Sequence, residues 1–436
     1  MITHGQPLRW WLLLVPFALV AAGAGSRIGM AADVPASDSV TTEAYEAAGV
    51  KVIHRITPAS EIVAVRLYLL GGSRQLTEGT EGIESLLLRA NGNGTRRAMA
   101  LTGAQAYLDS GLDWTVAGFT ALTRDVPAAW DVFATPFLTV PTDSAIDRAR
   151  DLLLSAARRR YSHPDLRVDA LARSMAFRDH PYALDPQGTE QTLSALTTED
   201  LRRYAHDQFV RSRMLLVIVG NVSRGQVESM LQHTLGRLPM GTYVWEPPPE
   251  IPKHPPTWLK EHRPLPTNYI LGYFVGPMPT DGDYFAFQVA TQLLSSQLNR
   301  AVRDERSLSY AAYAPFLDRA IPVGGIYAST PAPSDVWRIM RQEIAQLSSL
   351  NVPQSALRGF LDQFTLDRLA QQMTNDGQAD ALGRAQLYFG DYTMADESWK
   401  KLRQVRISSI RRIVRDYMVN LRLAYLGDTT LMSGSW

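Results

Sequence analysis

The chain has 436 residues, 45% hydrophobic and 20% charged, a composition typical of globular proteins with substantial apolar cores. Its formal net charge is +1 at pH 7, and it carries no nucleic-acid-binding signature, so neither nucleic acid nor an anionic membrane is indicated as a partner. The absence of cysteine excludes disulfides, thiolate zinc ligands and a lipid anchor on an N-terminal cysteine.

The N-terminus has the pattern of an export signal. Arg9 precedes an apolar run over residues 10–22, which fades into small residues. We predict a signal peptide over residues 1–32, with cleavage near 30–32 favoured over cleavage near 22–24. The alternative is an uncleaved anchor. No other apolar stretch is long enough to cross a bilayer, so we expect an exported protein of the bacterial periplasm with no further membrane contact.

After an N-terminal extension over residues 33–48, residues 49–241 read as one α+β unit. Residues 50–56 and 62–70 alternate apolar and polar side chains like the strands of a hairpin. A helix is expected through Ile83, Leu86, Leu87 and Ala90, and it should stop at the turn-forming sequence Asn91-Gly92-Asn93-Gly94. Further helices are expected over 145–160 and after Thr197, whose surroundings carry a capping signal, and a buried strand over 214–220 closes the unit.

A proline-rich linker over residues 242–264 leads to a second unit over residues 265–436 that echoes the first. The pattern around Leu201-Arg202-Arg203 recurs at Ile410-Arg411-Arg412 at one constant offset, which Asp207/Asp416 and Val210/Val419 also keep. The turn that begins at Phe177 has a counterpart that begins at Phe389. We therefore predict an α+β protein made of two diverged repeats.

The stretch Gly71-Gly72-Ser73-Arg74, the segment 79–89 and Gly94-Thr95 together resemble the zinc-site segment of pitrilysin-type metallopeptidases, the family of insulin-degrading enzyme and the mitochondrial processing peptidases. The resemblance implies two mixed, mainly antiparallel sheets flanked by helices, arranged as half of a clamshell. It covers nearly the whole chain, from Val50 through Gly427.

In the family motif His-x-x-Glu-His the two histidines bind zinc and the glutamate activates water, and these positions fall on Ser85, Leu88 and Arg89. The best alignment puts Ala156 at the further glutamate that completes the family's metal site. These residues offer no imidazole and no carboxylate, and an arginine repels a dication. We therefore expect no metal or other cofactor bound by this chain.

The sequence disfavours two other chemistries. None of its eight histidines forms a His-x-His, His-x-x-x-His or His-x-x-Glu-His pair, which favours surface or capping roles over metal binding. Ser85 lies outside a Gly-x-Ser-x-Gly elbow, so a buried or solvent-facing serine is favoured over a nucleophile.

The second unit carries a positive signal. An amphipathic helix over residues 283–303 runs into the segment from Arg303 to Tyr310, which resembles the family's Arg-Glu-x-Arg-Gly-Leu-x-Tyr with Ser307 in place of glycine. The resemblance implies that Arg303 binds a substrate carbonyl and that Tyr310 stabilises an oxyanion. The alternative is that Arg303 ends the helix favourably for its dipole and Tyr310 is a half-buried strand aromatic.

These features predict a non-catalytic subunit that pairs with a zinc-bearing homologue and offers Arg303 and Tyr310 to a peptide or unfolded protein. Zinc is then expected in the partner subunit. The alternative is a structural or peptide-binding scaffold of the same ancestry with no role in catalysis. An independently active hydrolase would require chemistry that the sequence does not show.

Overall fold

The computed structural model describes residues 39–92, 94–252, 255–419 and 421–432. The predicted signal peptide and part of the extension before residue 49 lie outside these ranges. Strands β1 to β6 are Thr41–Ala47, Val50–Ile56, Ile62–Leu70, Gln105–Ser110, Trp114–Leu122 and Met214–Gly220. Strands β7 to β12 are Thr257–His262, Asn268–Val275, Ala311–Tyr313, Phe316–Leu317, Val323–Thr330 and Arg422–Gly427.

Helices surround both groups of strands. In the first half they are α1 to α8: Ile83–Asn91, Thr95–Leu101, Val126–Leu138, Asp143–Ser162, Pro164–Ala176, Glu190–Ala195, Thr198–Gln208 and Arg224–His233. In the second half they are α9 to α14: Tyr284–Leu298, Pro333–Ser348, Gln354–Gln371, Asn375–Phe389, Met394–Leu402 and Ile407–Tyr417. No helix in the described ranges is long and apolar enough to cross a membrane.

The strands form two mixed sheets with the same topology, which confirms the predicted α+β fold. The first has the order β1-β2-β6-β3-β5-β4 and the second β10-β11-β8-β12-β7, with β9 also paired to β11. In each sheet one parallel pair, β2 with β6 or β7 with β12, adjoins antiparallel neighbours. Helices α7 and α14 are separated by the same offset that relates Leu201 to Ile410, as expected for two copies of one unit.

The structure corrects one local prediction and confirms another. The strands over 50–56 and 62–70 have the predicted bounds, but the hairpin is wrong, because β6 lies between β2 and β3 and pairs with both. By contrast, Thr197 caps α7 as predicted: it accepts a hydrogen bond from the Asp200 amide, and Asp200 accepts one from the Thr197 amide. The edge strand β1 lies upstream of residue 49, inside the stretch assigned to the N-terminal extension.

Each half covers one face of the other half's sheet with a helix. Helix α12 of the second half packs on β3 and β6, and α5 of the first half packs on β8 and β12. Apolar side chains fill both contacts, among them Tyr68 with Leu382 and Leu171 with Leu426. Arg66 of β3 reinforces the first contact, since its guanidinium donates to both carboxylate oxygens of Asp376 and to Asp380 at 2.7–3.0 Å. The two halves are thus held together by two helices, each of which packs on the sheet of the other half.

The turn after α5 contains a buried histidine that stays neutral. His180 is 5% exposed; its Nδ1 accepts a hydrogen bond from the Tyr182 amide at 3.1 Å, and its Nε2 lies 2.9 Å from the Pro249 carbonyl oxygen. Burial lowers the pKa of His180, against the opposing effects of the Pro249 hydrogen bond and the Asp113 carboxylate.

This histidine predicts a loss of stability on mild acidification. Because the folded-state pKa is lowered, the unfolded chain binds the proton first, so the contribution of His180 to stability is constant well above pH 6.5 and falls as the pH drops through 6.5. Between pH 7.5 and 5.5, the free energy of unfolding, measured with urea, should fall less for His180→Asn, which keeps an acceptor for the Tyr182 amide, than for wild type, by up to about 1.4 kcal/mol. The exposed His206→Asn is the matched control. Equal losses in wild type and His180→Asn would contradict the prediction.

Candidate functional site

Helix α1 carries the positions that correspond to the zinc motif, and its environment is apolar. Ser85 is fully buried, Leu88 is 3% exposed and Arg89 is exposed, with its Nε 3.4 Å from the Ser85 hydroxyl. Leu88 belongs to the core of the first half. Helix α4, which carries Ala156 on a half-buried face, packs directly against α1. The structure therefore brings together the helices that would hold the metal.

The residues on these helices do not fit a zinc ion. A hydroxyl at Ser85, a guanidinium at Arg89 and a methyl group at Ala156 stand where zinc would need two imidazoles and a carboxylate. Leu88, at the position of the glutamate that would activate water, is a core residue and offers no carboxylate. Within the described ranges, no three His, Cys, Asp or Glu side chains lie together as metal ligands would.

A carboxylate in the first turn of α1 has a structural task that sequence reasoning missed. Glu84 is 4% exposed and accepts hydrogen bonds from Arg213 and from the Tyr204 hydroxyl, both at 2.9 Å. Arg213 is 1% exposed and also donates to the carbonyl oxygens of Leu70 and Gln208. Glu84 is therefore engaged in an ion pair that joins α1, α7 and the start of β6. The sequence signal that could have indicated this buried ion pair is a glutamate in a helix whose other residues are mostly apolar.

Arg303 lies where the helical segment changes its geometry. Helix α9 ends at Leu298 and continues as a π-helical turn over Asn299–Asp304, so the predicted helix over 283–303 is two kinds of helix in succession. Such wide turns often occur at functional sites. The Arg303 side chain is exposed, and among the described residues none hydrogen-bonds or ion-pairs with it.

The loop after this turn has the backbone geometry that the family's glycine would adopt. Ser307 has a φ of 51°, in the left-handed region that favours glycine. The amides of Ser307 and Leu308 donate to the carbonyl oxygens of Arg303 and Val302 at 3.0 and 2.9 Å. Ser307 thus holds a backbone conformation in which glycine is favoured.

Tyr310 is exposed to solvent, and the residue before it, Ser309, is fixed by hydrogen bonds. The buried Ser309 hydroxyl donates to the Ser329 carbonyl oxygen at 2.6 Å and accepts from the Ala311 amide at 2.9 Å. Tyr310 itself is 93% exposed, and its hydroxyl has no hydrogen-bond partner in the described part of the chain. The alternative prediction, that Tyr310 is a half-buried strand aromatic, is therefore wrong. Both Arg303 and Tyr310 are available as hydrogen-bond donors.

Sequence comparisons relate this chain to an inactive peptidase domain and to zinc proteases. A family model described as the peptidase M16 inactive domain matches residues 195–363. An uncharacterized zinc protease of Bacillus subtilis, YmxG, is 21% identical over 384 residues, which cover 84% of this chain and 93% of that protein.

Solved structures share the fold. A peptidase M16 inactive domain from Pseudomonas fluorescens has a TM-score of 0.78 at 18% identity, covering 89% of this chain and 98% of that one. A chain of complex III2 from Candida albicans has a TM-score of 0.76 at 16% identity, covering 90% of this chain and 96% of that one.

Proposed function

We propose, from the likeness of this chain to pitrilysin-type metallopeptidases and its lack of their His-x-x-Glu-His motif, that it is the non-catalytic subunit of a heterodimeric metallopeptidase. The partner is a zinc-bearing homologue, which holds the metal and hydrolyses peptides. This chain closes the other side of the peptide-binding chamber and contributes donors to the substrate. The export signal expected from the sequence places the complex in the periplasm.

The main support is the contrast between two sets of residues in one molecule. Ser85, at a ligand position, and Leu88, at the position of the water-activating glutamate, are both buried and offer no group for metal chemistry. Arg303 and Tyr310 are exposed, and their side chains have no described partners. A chain that lacks one half of a catalytic apparatus and displays the other is suited to complement a partner.

In the proposed complex, Arg303 and Tyr310 act on the substrate carbonyl. The guanidinium of Arg303 donates to the carbonyl oxygen of the bound peptide and aligns it. The phenol of Tyr310 donates to the same region as negative charge develops on the oxygen, which is the requirement for stabilising an oxyanion. Neither group has to leave an internal hydrogen bond first, so this contribution costs no rearrangement of charged side chains.

The second candidate function is a peptidase-derived scaffold with no role in catalysis. The specific observation in its favour is that this chain shares its fold with a chain of complex III2 from Candida albicans. Under this proposal the interface with other subunits is the function, and Arg303 and Tyr310 are not required.

Co-expression with a zinc-bearing homologue, ideally the product of a neighbouring reading frame, tests the proposal. We expect a stable complex on size-exclusion chromatography, with peptide hydrolysis that requires both chains and zinc in the partner alone. A partner that cleaves peptides at full rate unaided would refute it. So would stoichiometric zinc and proteolysis by this chain in isolation. A stable complex without hydrolysis would favour the scaffold.

A further inference from the structure

The second half contains a cavity of about 720 Å³ whose wall has charged, polar and aromatic side chains. It is bordered by α9, α11 and α12, with Arg66 of β3 contributing from the first half. Arg303, Tyr310 and the degenerate positions of α1 do not line it. Its volume is within the range of small-molecule sites in proteins, which is roughly 300–1,000 Å³.

Much of the cavity wall is a closed network of hydrogen bonds. The Tyr284 hydroxyl donates to the Asp318 carboxylate at 2.7 Å, and Tyr388 and Arg384 donate to the Asp318 carbonyl oxygen at 2.8 and 3.1 Å. Arg384 also pairs with Asp380 at 2.8 Å. Arg384 and Asp380 compensate each other's charge, whereas the Asp318 carboxylate accepts from the Tyr284 hydroxyl and has no ion pair among the described residues.

Gln288 of α9 stands outside this network. It lines the cavity and is 1% exposed, and neither its Oε1 nor its Nε2 has a hydrogen-bond partner among the described residues. A buried carboxamide with both atoms unpaired destabilises the fold, because its desolvation is not compensated. The last torsion of a glutamine side chain is soft, so a small rotation turns the donor or the acceptor into the cavity. A ligand with an adjacent donor and acceptor would satisfy both atoms.

Two arginines of the cavity wall form no ion pair with a described residue, although Asp318 and Asp367 also line the cavity and the Asp113 carboxylate acts electrostatically on Arg319. Arg319 and Arg368 line it, and neither forms an ion pair or a side-chain hydrogen bond with another described residue. The Nη1 of Arg319 is buried and has no partner in the described ranges. An arginine fork matches a carboxylate in a bidentate geometry, so these two side chains favour an anionic group with two oxygens.

The cavity lies at the place in the second repeat that corresponds to the degenerate zinc site of the first repeat. In the first half α1 packs directly on α4, and these are the helices that carry the degenerate zinc positions. By chain order their counterparts in the second half are α9 and α11, and both line the cavity. The second repeat therefore has a ligand-sized space beside α9 and α11, whereas their counterparts α1 and α4 in the first repeat are in direct contact.

We propose that this cavity binds a short peptide through its free C-terminal carboxylate. Arg319 and Arg368 hold the carboxylate, and the Gln288 carboxamide pairs with the N–H and C=O groups of a neighbouring peptide unit. This site goes beyond the heterodimer proposed above, since it requires neither a partner chain nor Arg303 and Tyr310.

Isothermal titration of the full chain with trialanine, trialanine amide and acetate tests the site. We expect trialanine to bind and its amide to bind at least tenfold more weakly. Arg368→Gln and Gln288→Leu should each weaken trialanine binding at least tenfold, whereas Arg358→Gln, an exposed arginine on the same helix, should not change it. Unliganded Gln288→Leu should melt no lower than wild type, because it removes the unpaired carboxamide.

Several results would overturn this assignment. Absence of trialanine binding at millimolar concentration would exclude the site, and equal affinity for the amide would exclude carboxylate recognition. Acetate binding as tightly as trialanine and insensitive to Gln288→Leu would reduce the cavity to an anion site. Should Gln288→Leu fail to fold, unchanged trialanine affinity in Arg368→Gln would by itself refute the proposal.

Discussion

Tyr310→Phe is expected to lower the turnover of the reconstituted peptidase complex by about a hundredfold, with little effect on complex formation. Removal of one oxyanion donor typically costs this much, equivalent to about 2.7 kcal/mol of transition-state stabilisation. The substitution removes a hydroxyl from a side chain that is 93% exposed, so the fold of this chain should be unaffected. Arg303→Ala should have a comparable or larger effect and should also raise the KM, because it removes a contact made before the reaction.

Two substitutions close by serve as controls for this experiment. Tyr313→Phe alters a tyrosine that packs on Tyr327 in the adjoining strand, and Arg300→Ala alters an arginine of the same π-helical turn that pairs with Glu305. Both should leave turnover within a few-fold of wild type. If Arg303→Ala and Tyr310→Phe behave like these controls, the pair has no catalytic role and the scaffold becomes the better account.

Arg213→Met is expected to destabilise the isolated chain by about 3 to 5 kcal/mol. Burial by itself would lower the pKa of Arg213, but Glu84 and Tyr204 raise it, so the guanidinium stays charged in the folded state. The substitution fills most of the space but leaves the Glu84 carboxylate buried without its cation. A loss of this size is a large part of the total stability of a typical domain, which is about 5–15 kcal/mol.

Urea unfolding followed by circular dichroism measures this effect. Arg203→Met is the matched control, since Arg203 pairs with Asp200 at the surface and such pairs contribute about 1 kcal/mol or less. Combining Arg213→Met with Glu84→Leu should recover much of the loss, because the second substitution removes the unpaired charge. A loss for Arg213→Met no larger than that for Arg203→Met would show that the buried pair does not stabilise the first half.

Periodicity and turn chemistry predicted many elements of this protein well. The strands over 50–56, 62–70 and 214–220 have the predicted bounds, and the helix before Asn91-Gly92 ends where the turn residues indicate. These features are local: alternation, helical spacing and capping depend on residues close together in the chain. The expectation that this chain lacks the zinc motif is also local, because it depends only on which residues occupy four positions.

Properties that join distant residues were decided by the tertiary structure. The pairing of β2 with β6 instead of β3 brings together segments more than a hundred residues apart, and no alternation pattern specifies which strand lies next to which. The ion pair of Glu84 with Arg213 and the unpaired carboxamide of Gln288 depend on packing between helices and strands from different parts of the chain. The amino-acid sequence by itself thus determined the local elements, the repeat and the absent metal ligands. Only the folded arrangement decided which polar groups are satisfied and which are left to bind something else, because burial is a property of three-dimensional packing.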